Sequence, residues 1–353
     1  MSAEAVTVRP QSSLFADARN RRVLRYATGS MLAVAVAMGV AWDLSYLTPV
    51  LSLMFLASPG PPPSFRKGLG FVVTIAVACI AGLWVCKFLL SIPIIFFLVF
   101  GLLLLWLFYA KTGGASPFLV TWLLIAMLVL PMLAVQLPDL ALLVAVGIFI
   151  GSAATLLVVW VTYALIPEPA ESKVAVATAT AEPTTAPAAR EERFQTAATT
   201  SIVVLPMFLL FHLFEWTGGI LILVFVALLS MQPGFAKDFK AGRALILGNI
   251  IGGVAAIAMF ELLTIVPEFL FLLLLTFLAG LFFGSHLMST SPKAALFGMA
   301  YSTLLLVIGS VTTSASGDAT SKVYSRIFQI MAAVVYVVVA FGLIDRYRRA
   351  KGR

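Results

Sequence analysis

Apolar residues in this 353-residue chain gather into twelve runs, broken at prolines, glycine pairs and charges. In the first half the runs cover 25–41, 46–58, 68–90, 92–110, 115–135 and 139–165; in the second they cover 197–214, 218–232, 243–264, 268–285, 292–312 and 321–344. Runs of this length predict helices that cross a hydrocarbon core of about 30 Å. Two of them, 46–58 and 218–232, are shorter than the roughly 20 residues a full crossing needs. They hold corresponding places in the two halves, and paired short segments of this kind point to a transporter's binding region.

The two halves repeat one another in landmarks as well as in hydropathy. Trp42, Pro59, Gly60, Phe65, Gly68 and Pro93 recur 174 positions later as Trp216, Pro233, Gly234, Phe239, Gly242 and Pro267. One residue of slippage then aligns Ser116-Pro117 with Ser291-Pro292. The expected fold is therefore all-α: twelve transmembrane helices in two six-helix repeats, at 25–166 and 194–345.

Composition agrees, at 61% hydrophobic and only 11% charged with a mean hydropathy of +1.08, which no water-soluble domain sustains. A net charge of +8 would suggest a nucleic-acid partner in a soluble protein. Here the basic residues are better explained by insertion. With the N-terminus in the cytoplasm, twelve crossings place twenty of the 23 Lys and Arg on the inner side and leave Lys87, Lys322 and Arg326 outside. The expected topology is N-in and C-in, in a bacterial inner membrane. An even number of crossings per half gives both repeats the same orientation, hence parallel rather than inverted repeats.

The remaining segments carry little chemistry. Residues 1–24 form a basic cytoplasmic segment leading into an uncleaved first helix, 167–193 a Pro-, Ala- and Thr-rich linker, and 346–353 a basic tail. No Walker loop or soluble cassette is found among them, so an ion gradient is the expected drive if the protein pumps. Cys79 and Cys86 lie seven apart in one run and are expected to be packing residues. No cofactor, metal or nucleophile–base constellation is expected, and with them no enzyme.

Several charges are harder to assign to decoration. Asp43 and Glu215 stand beside Trp42 and Trp216, just before the short runs, and are the candidate proton-coupling acids. Arg326, among Tyr324, Ile327, Phe328 and Ile330, is the candidate for meeting a substrate carboxylate, with Lys87 in support. It aligns with Gly147, so the second repeat holds a charge that the first lacks. Trp42, Trp216 and Tyr46 are the candidate aromatic contacts. His212 and His286 titrate in a range that suits proton coupling, although an interfacial histidine is more often a packing residue.

The short run Leu44–Gly60 with Tyr46, Thr48 and Pro49, then Arg66, and its partner Ile220–Gly234 followed by Arg243, Gly248 and Gly252, resemble the fusaric acid resistance and aromatic acid exporter superfamily. The short linker is similar to the two-repeat branch of that superfamily known as a domain of unknown function. The better-known exporters differ in carrying a large cytoplasmic region after each six-span block. The resemblance implies efflux of aromatic carboxylic acids or other small toxic compounds, often beside a periplasmic adaptor and an outer-membrane channel. A major-facilitator permease, a passive anion channel and a non-transporting scaffold stay open as alternatives, and so does a homo-oligomer. Gly234, Asp238, Gly242 and Arg243 come near the facilitator loop pattern, but the Gly-Arg pair falls one position late. The sequence thus leads to a proton-driven efflux permease for small organic anions.

Overall fold

The computed structural model describes residues 18–40, 42, 44–58, 60–167, 190–216, 219–231, 239–291, 293–312 and 319–351. Among them the regular elements are twelve α-helices: α1 (Ala18–Val40), α2 (Leu47–Leu56), α3 (Phe65–Leu89), α4 (Pro93–Thr112), α5 (Pro117–Gln136), α6 (Pro138–Leu165), α7 (Arg190–Leu213), α8 (Ile220–Ser230), α9 (Phe239–Ile265), α10 (Phe269–Leu287), α11 (Ala294–Thr312) and α12 (Ala319–Lys351). Each contains or overlaps one predicted run. The first and last begin and end in segments expected to be tails, and α7 begins at Arg190, inside the expected linker.

Local chemistry sets the helix starts. Pro93, Pro117 and Pro138 open α4, α5 and α6, where a missing N–H costs nothing. Ser64 caps α3 by accepting from the Lys67 amide at 3.4 Å. Among the described residues nine helices are long and apolar enough to cross a membrane, which makes the chain a multi-pass membrane protein. The exceptions are α2, α8 and α12, the last with an apolar stretch at Met331–Ile344. At 10 and 11 residues, α2 and α8 are about 15 Å long and do not span by themselves.

Outward faces are apolar. Leu69, Val73, Val77, Ile80, Trp84 and Phe88 form one exposed stripe along α3. Water would penalise such a surface and hydrocarbon does not, so the stripe is a lipid-facing belt.

The helices pack by one scheme in both halves. In the first, α2 lies against α1 and α6, and α5 against α3 and α6; in the second, α8 lies against α7 and α12, and α11 against α9 and α12. The contacts between halves are reciprocal: α1 packs on α10 and α7 on α4, while α2 meets α11 and α8 meets α5. Exchanging the halves leaves this set of neighbours unchanged.

Glycine makes the first of these seams tight. A Cβ on Gly280 would lie 2.7 Å from the Ala27 Cα, and one on Gly284 2.9 Å from the Tyr26 ring, so α1 and α10 meet nearly backbone to backbone. The fully buried Tyr301 donates to the Thr276 carbonyl at 2.9 Å and lies 2.7 Å from Ser30 Oγ, which ties α1, α10 and α11 together. The reciprocal seam uses rings instead, with Phe100 of α4 stacked on Phe208 of α7 at 3.9 Å between centroids.

Polar contacts align the ends of the helices. Arg19 of α1 donates to the Ser285 carbonyl near the end of α10 at 2.8 Å. Its counterpart by the repeat, Arg193 of α7, lies over the Tyr109 ring near the end of α4 at 4.6 Å. Lys111 at the end of α4 donates to the Met231 carbonyl just past α8. One end of the bundle therefore collects Arg19, Arg66, Lys67, Lys111, Arg190 and Arg193. At the other lie Asp139, Glu215, Glu261, Glu268 and Lys87.

Replacing Gly280 by Val should wedge α1 from α10 and cost about 1–3 kcal/mol. Gly342, where an added Cβ would meet nothing within 4 Å, should accept Ala without loss. Thermal unfolding of the two variants in detergent micelles checks the contrast.

Candidate functional site

Helix α2 is short because the chain turns abruptly at both its ends. Before it, the Ser45 amide donates to the Trp42 carbonyl at 3.0 Å, and Leu44 between them takes φ of 63°, a strained conformation for a branched side chain. The buried residues of α2 include Thr48 and Ser52, which continue the face begun by Ser45, and α6 presents Ser152, Thr155 and Thr162. All six are fully buried. Together they line α2 and α6 with hydroxyls through an otherwise apolar body.

Most of these groups have their hydrogen bonds. Thr155 Oγ1 donates to the Gly151 carbonyl at 2.8 Å, Thr162 to the Val158 carbonyl at 2.7 Å and Ser52 to the Pro49 carbonyl at 2.8 Å. Thr48 Oγ1 reaches across from α2 to the Gly151 carbonyl at 3.3 Å. At the outset of the seam the pattern breaks. Among the described residues, Trp42 Nε1 and Ser45 Oγ are buried without a hydrogen-bond partner. Gly151 keeps the space open, since a Cβ there would stand 3.4 Å from Thr48 Oγ1 and 3.8 Å from Trp42 Nε1. Two such buried groups cost on the order of 1–3 kcal/mol each.

The opposite end of the seam carries a charge. Arg25 of α1 is fully buried, and its guanidinium lies 4.1 Å over the Tyr163 ring of α6. Tyr163 in turn donates to the Gly60 carbonyl at 3.2 Å, and Trp160 donates from Nε1 to the Pro63 carbonyl at 3.0 Å. These bonds clamp the Pro-rich turn after α2 onto the end of α6.

Of the sequence-derived site residues, the structure joins only some. Trp42 and Tyr46 share the turn before α2, and Tyr46 meets the second half where a Cβ on Gly309 would lie 2.6 Å from its own. Trp216 is 56% exposed and stacks on Phe211 at 5.1 Å rather than entering a seam. Glu215 is exposed, with φ of 50°. Lys87 is exposed in the last turn of α3, 5.9 Å over Phe88. Asp43 lies outside the described residues, and so does the side chain of Arg326, whose backbone belongs to α12. His212 sits among Phe96, Phe97 and Phe208 with Nδ1 buried and unpartnered, whereas His286 Nδ1 lies 2.9 Å from the Phe282 carbonyl.

Sequence reasoning counted Arg25 with the cytoplasmic arginines and so passed over its burial. The available signal was its place as the first residue of an apolar run, directly before Tyr26.

Residues 22–164 match the family described as "Protein of unknown function (DUF2955)". That stretch contains Arg25, Trp42, the hydroxyl seam and Tyr163, and the family's description assigns no activity to it. No curated protein and no solved structure matches the chain.

Trp42→Phe and Ser45→Ala each remove a buried unpartnered atom, so both variants should melt at or above the temperature of the parent. A fall of several degrees in detergent would show that these atoms are bonded in the folded protein.

Proposed function

We propose that the chain is a bacterial inner-membrane permease that exports small organic anions, aromatic carboxylates foremost, through a pathway that runs beside α2. The observation that carries this is the seam itself, with vacant donors at Trp42 and Ser45 at one end and a buried guanidinium at the other. A carboxylate needs both a counter-charge and hydrogen-bond donors to leave water. Hydrogen bonds to a charged group are worth about 1.5–3 kcal/mol each. Trp42 and Tyr46 add faces on which an aromatic ring can lie.

The orientation proposed is N-in and C-in, with twelve helices as two parallel repeats. Reciprocal packing of the halves supports the repeat, and the gathering of basic residues at one end supports the orientation. Arg25 then lies towards the cytoplasm, where it would receive the anion, and Trp42 towards the outside, where the anion leaves. Asp43 and Glu215, on the loops before α2 and α8, would carry the coupled protons, and Arg326 and Lys87 would draw the carboxylate along the outer side. The resemblance adds a periplasmic adaptor and an outer-membrane channel as partners.

Labelled benzoate in proteoliposomes, read against protein-free vesicles, tests the proposal. Release should quicken when an opposing proton gradient is imposed. Release indifferent to the gradient would mean a channel, and no release above the lipid background would leave only a scaffold. Trp42→Phe should slow release about tenfold, the equivalent of one hydrogen bond near 1.4 kcal/mol. Arg326→Glu should abolish it while the protein still inserts, and unchanged release would remove Arg326 from the pathway.

A further inference from the structure

The two seams between the halves are equivalent by the repeat but not equally closed. At +174, Gly280 and Gly284 of α10 correspond to Trp106 and Ala110 of α4. Where the glycines let α1 lie against α10, α4 carries the bulky, largely exposed Trp106. A groove of about 570 Å³ opens there. Leu102, Leu105, Trp106 and Tyr109 of α4 form one wall, and Arg190, Glu191 and Phe194 of α7 form the other.

The groove is amphipathic along its length. Leu102, Trp106 and Phe194 are 65%, 60% and 54% exposed, so its apolar part faces the hydrocarbon rather than protein. Its polar part lies at the basic end of the bundle. There Arg190 is exposed, and Arg193 rests on Tyr109 with its Nε buried and unpartnered. In the other seam the equivalent arginine, Arg19, is spent on the Ser285 carbonyl.

We propose that this groove holds one anionic phospholipid of the phosphatidylglycerol type in the leaflet at the basic end, bridging α4 of one half to α7 of the other. Guanidinium groups recognise a phosphodiester through paired N–H donors. Trp and Tyr settle at the headgroup boundary, and basic pockets between membrane helices take anionic headgroups. Glu191 does not argue against the ligand, because the hydroxyls of a glycerol headgroup donate to a carboxylate. Arg190 and Glu191 line the polar end, with Arg193 against Tyr109 beside them, so the phosphodiester is assigned to the guanidiniums and the glycerol hydroxyls to the carboxylate. The inference is independent of the transport proposal, since neither Trp42, Ser45 nor Arg25 takes part in it.

Quenching of Trp106 fluorescence by brominated lipid in vesicles tests it, with the Trp106→Phe protein subtracted to isolate that residue. Dibrominated phosphatidylglycerol should reach half-quenching at about a tenfold lower mole fraction than dibrominated phosphatidylcholine. Arg190→Gln, at an exposed position, should erase most of the difference. Equal quenching by the two lipids in the parent protein would overturn the proposal, because the groove would then be wetted by bulk lipid only. Preference for dibrominated phosphatidylethanolamine, or relief of quenching by excess benzoate, would also overturn it by showing a zwitterionic lipid or a transported anion as the occupant.

Discussion

A bilayer supplies no hydrogen bonds, so every polar atom within it must find its partner in the protein. The rest of this structure follows from that constraint. Backbone groups are closed within helices, and the hydroxyls of Thr155, Thr162 and Ser52 are returned to carbonyls three or four residues back on the same helix. Apolar stripes such as that on α3 are left to lipid. Against so strict a background, Trp42 Nε1 and Ser45 Oγ stand out as buried atoms whose bonding is incomplete. The same two atoms on a water-exposed loop would carry no information.

The two halves share a packing scheme but differ in the side chains that fill it. Both halves pack by one scheme, and each sends an arginine from its first helix towards the end of the other's fourth. Within that shared frame the side chains have parted. Helix α2 carries Thr48 and Ser52 on its buried face, continuing from Ser45 in the turn before it, while α8, at the same place in its repeat, reads Ile-Leu-Ile-Leu-Val-Phe-Val-Ala-Leu-Leu-Ser. A hydroxyl seam therefore belongs to the first half. The α1–α10 contact is closed by glycine, whereas the α4–α7 contact leaves a groove lined by Trp106.

Much of the fold was legible in the sequence because membrane helices obey long-range rules of length and hydropathy that local context rarely overrides. The starts at Pro93, Pro117 and Pro138, and the short helices α2 and α8, follow from proline and glycine punctuation alone. The site was less legible. Trp42 was singled out through the repeat and Tyr46 through the family resemblance, yet the repeat also suggested that Trp216 would behave like Trp42, and it lies outside against Phe211. Arg25 shows the limit most clearly. Insertion rules count an arginine by its position along the chain, while its burial depends on whether Tyr163, some 138 residues later, comes to lie beneath it.

The loops before the two short helices share one more property. Leu44 and Glu215 are the non-glycine residues of positive φ among the described residues, at 63° and 50°. They are not equivalent by the repeat, so the strain was not inherited as a residue. It comes from the path: a long helix must reverse within a few residues into a short one, and some position has to take the left-handed turn at a cost on the order of 1–2 kcal/mol. Packing offsets that cost differently in each half. In the second, the turn is finished outside, by an indole stacked on Phe211. In the first, the turn is pressed against Gly309 of the other half and keeps two donors buried and vacant. The two loops thus differ in what holds their strained turn: a contact with the other half at Gly309 for Trp42–Tyr46, and an indole stacked on the outside for Glu215–Trp216.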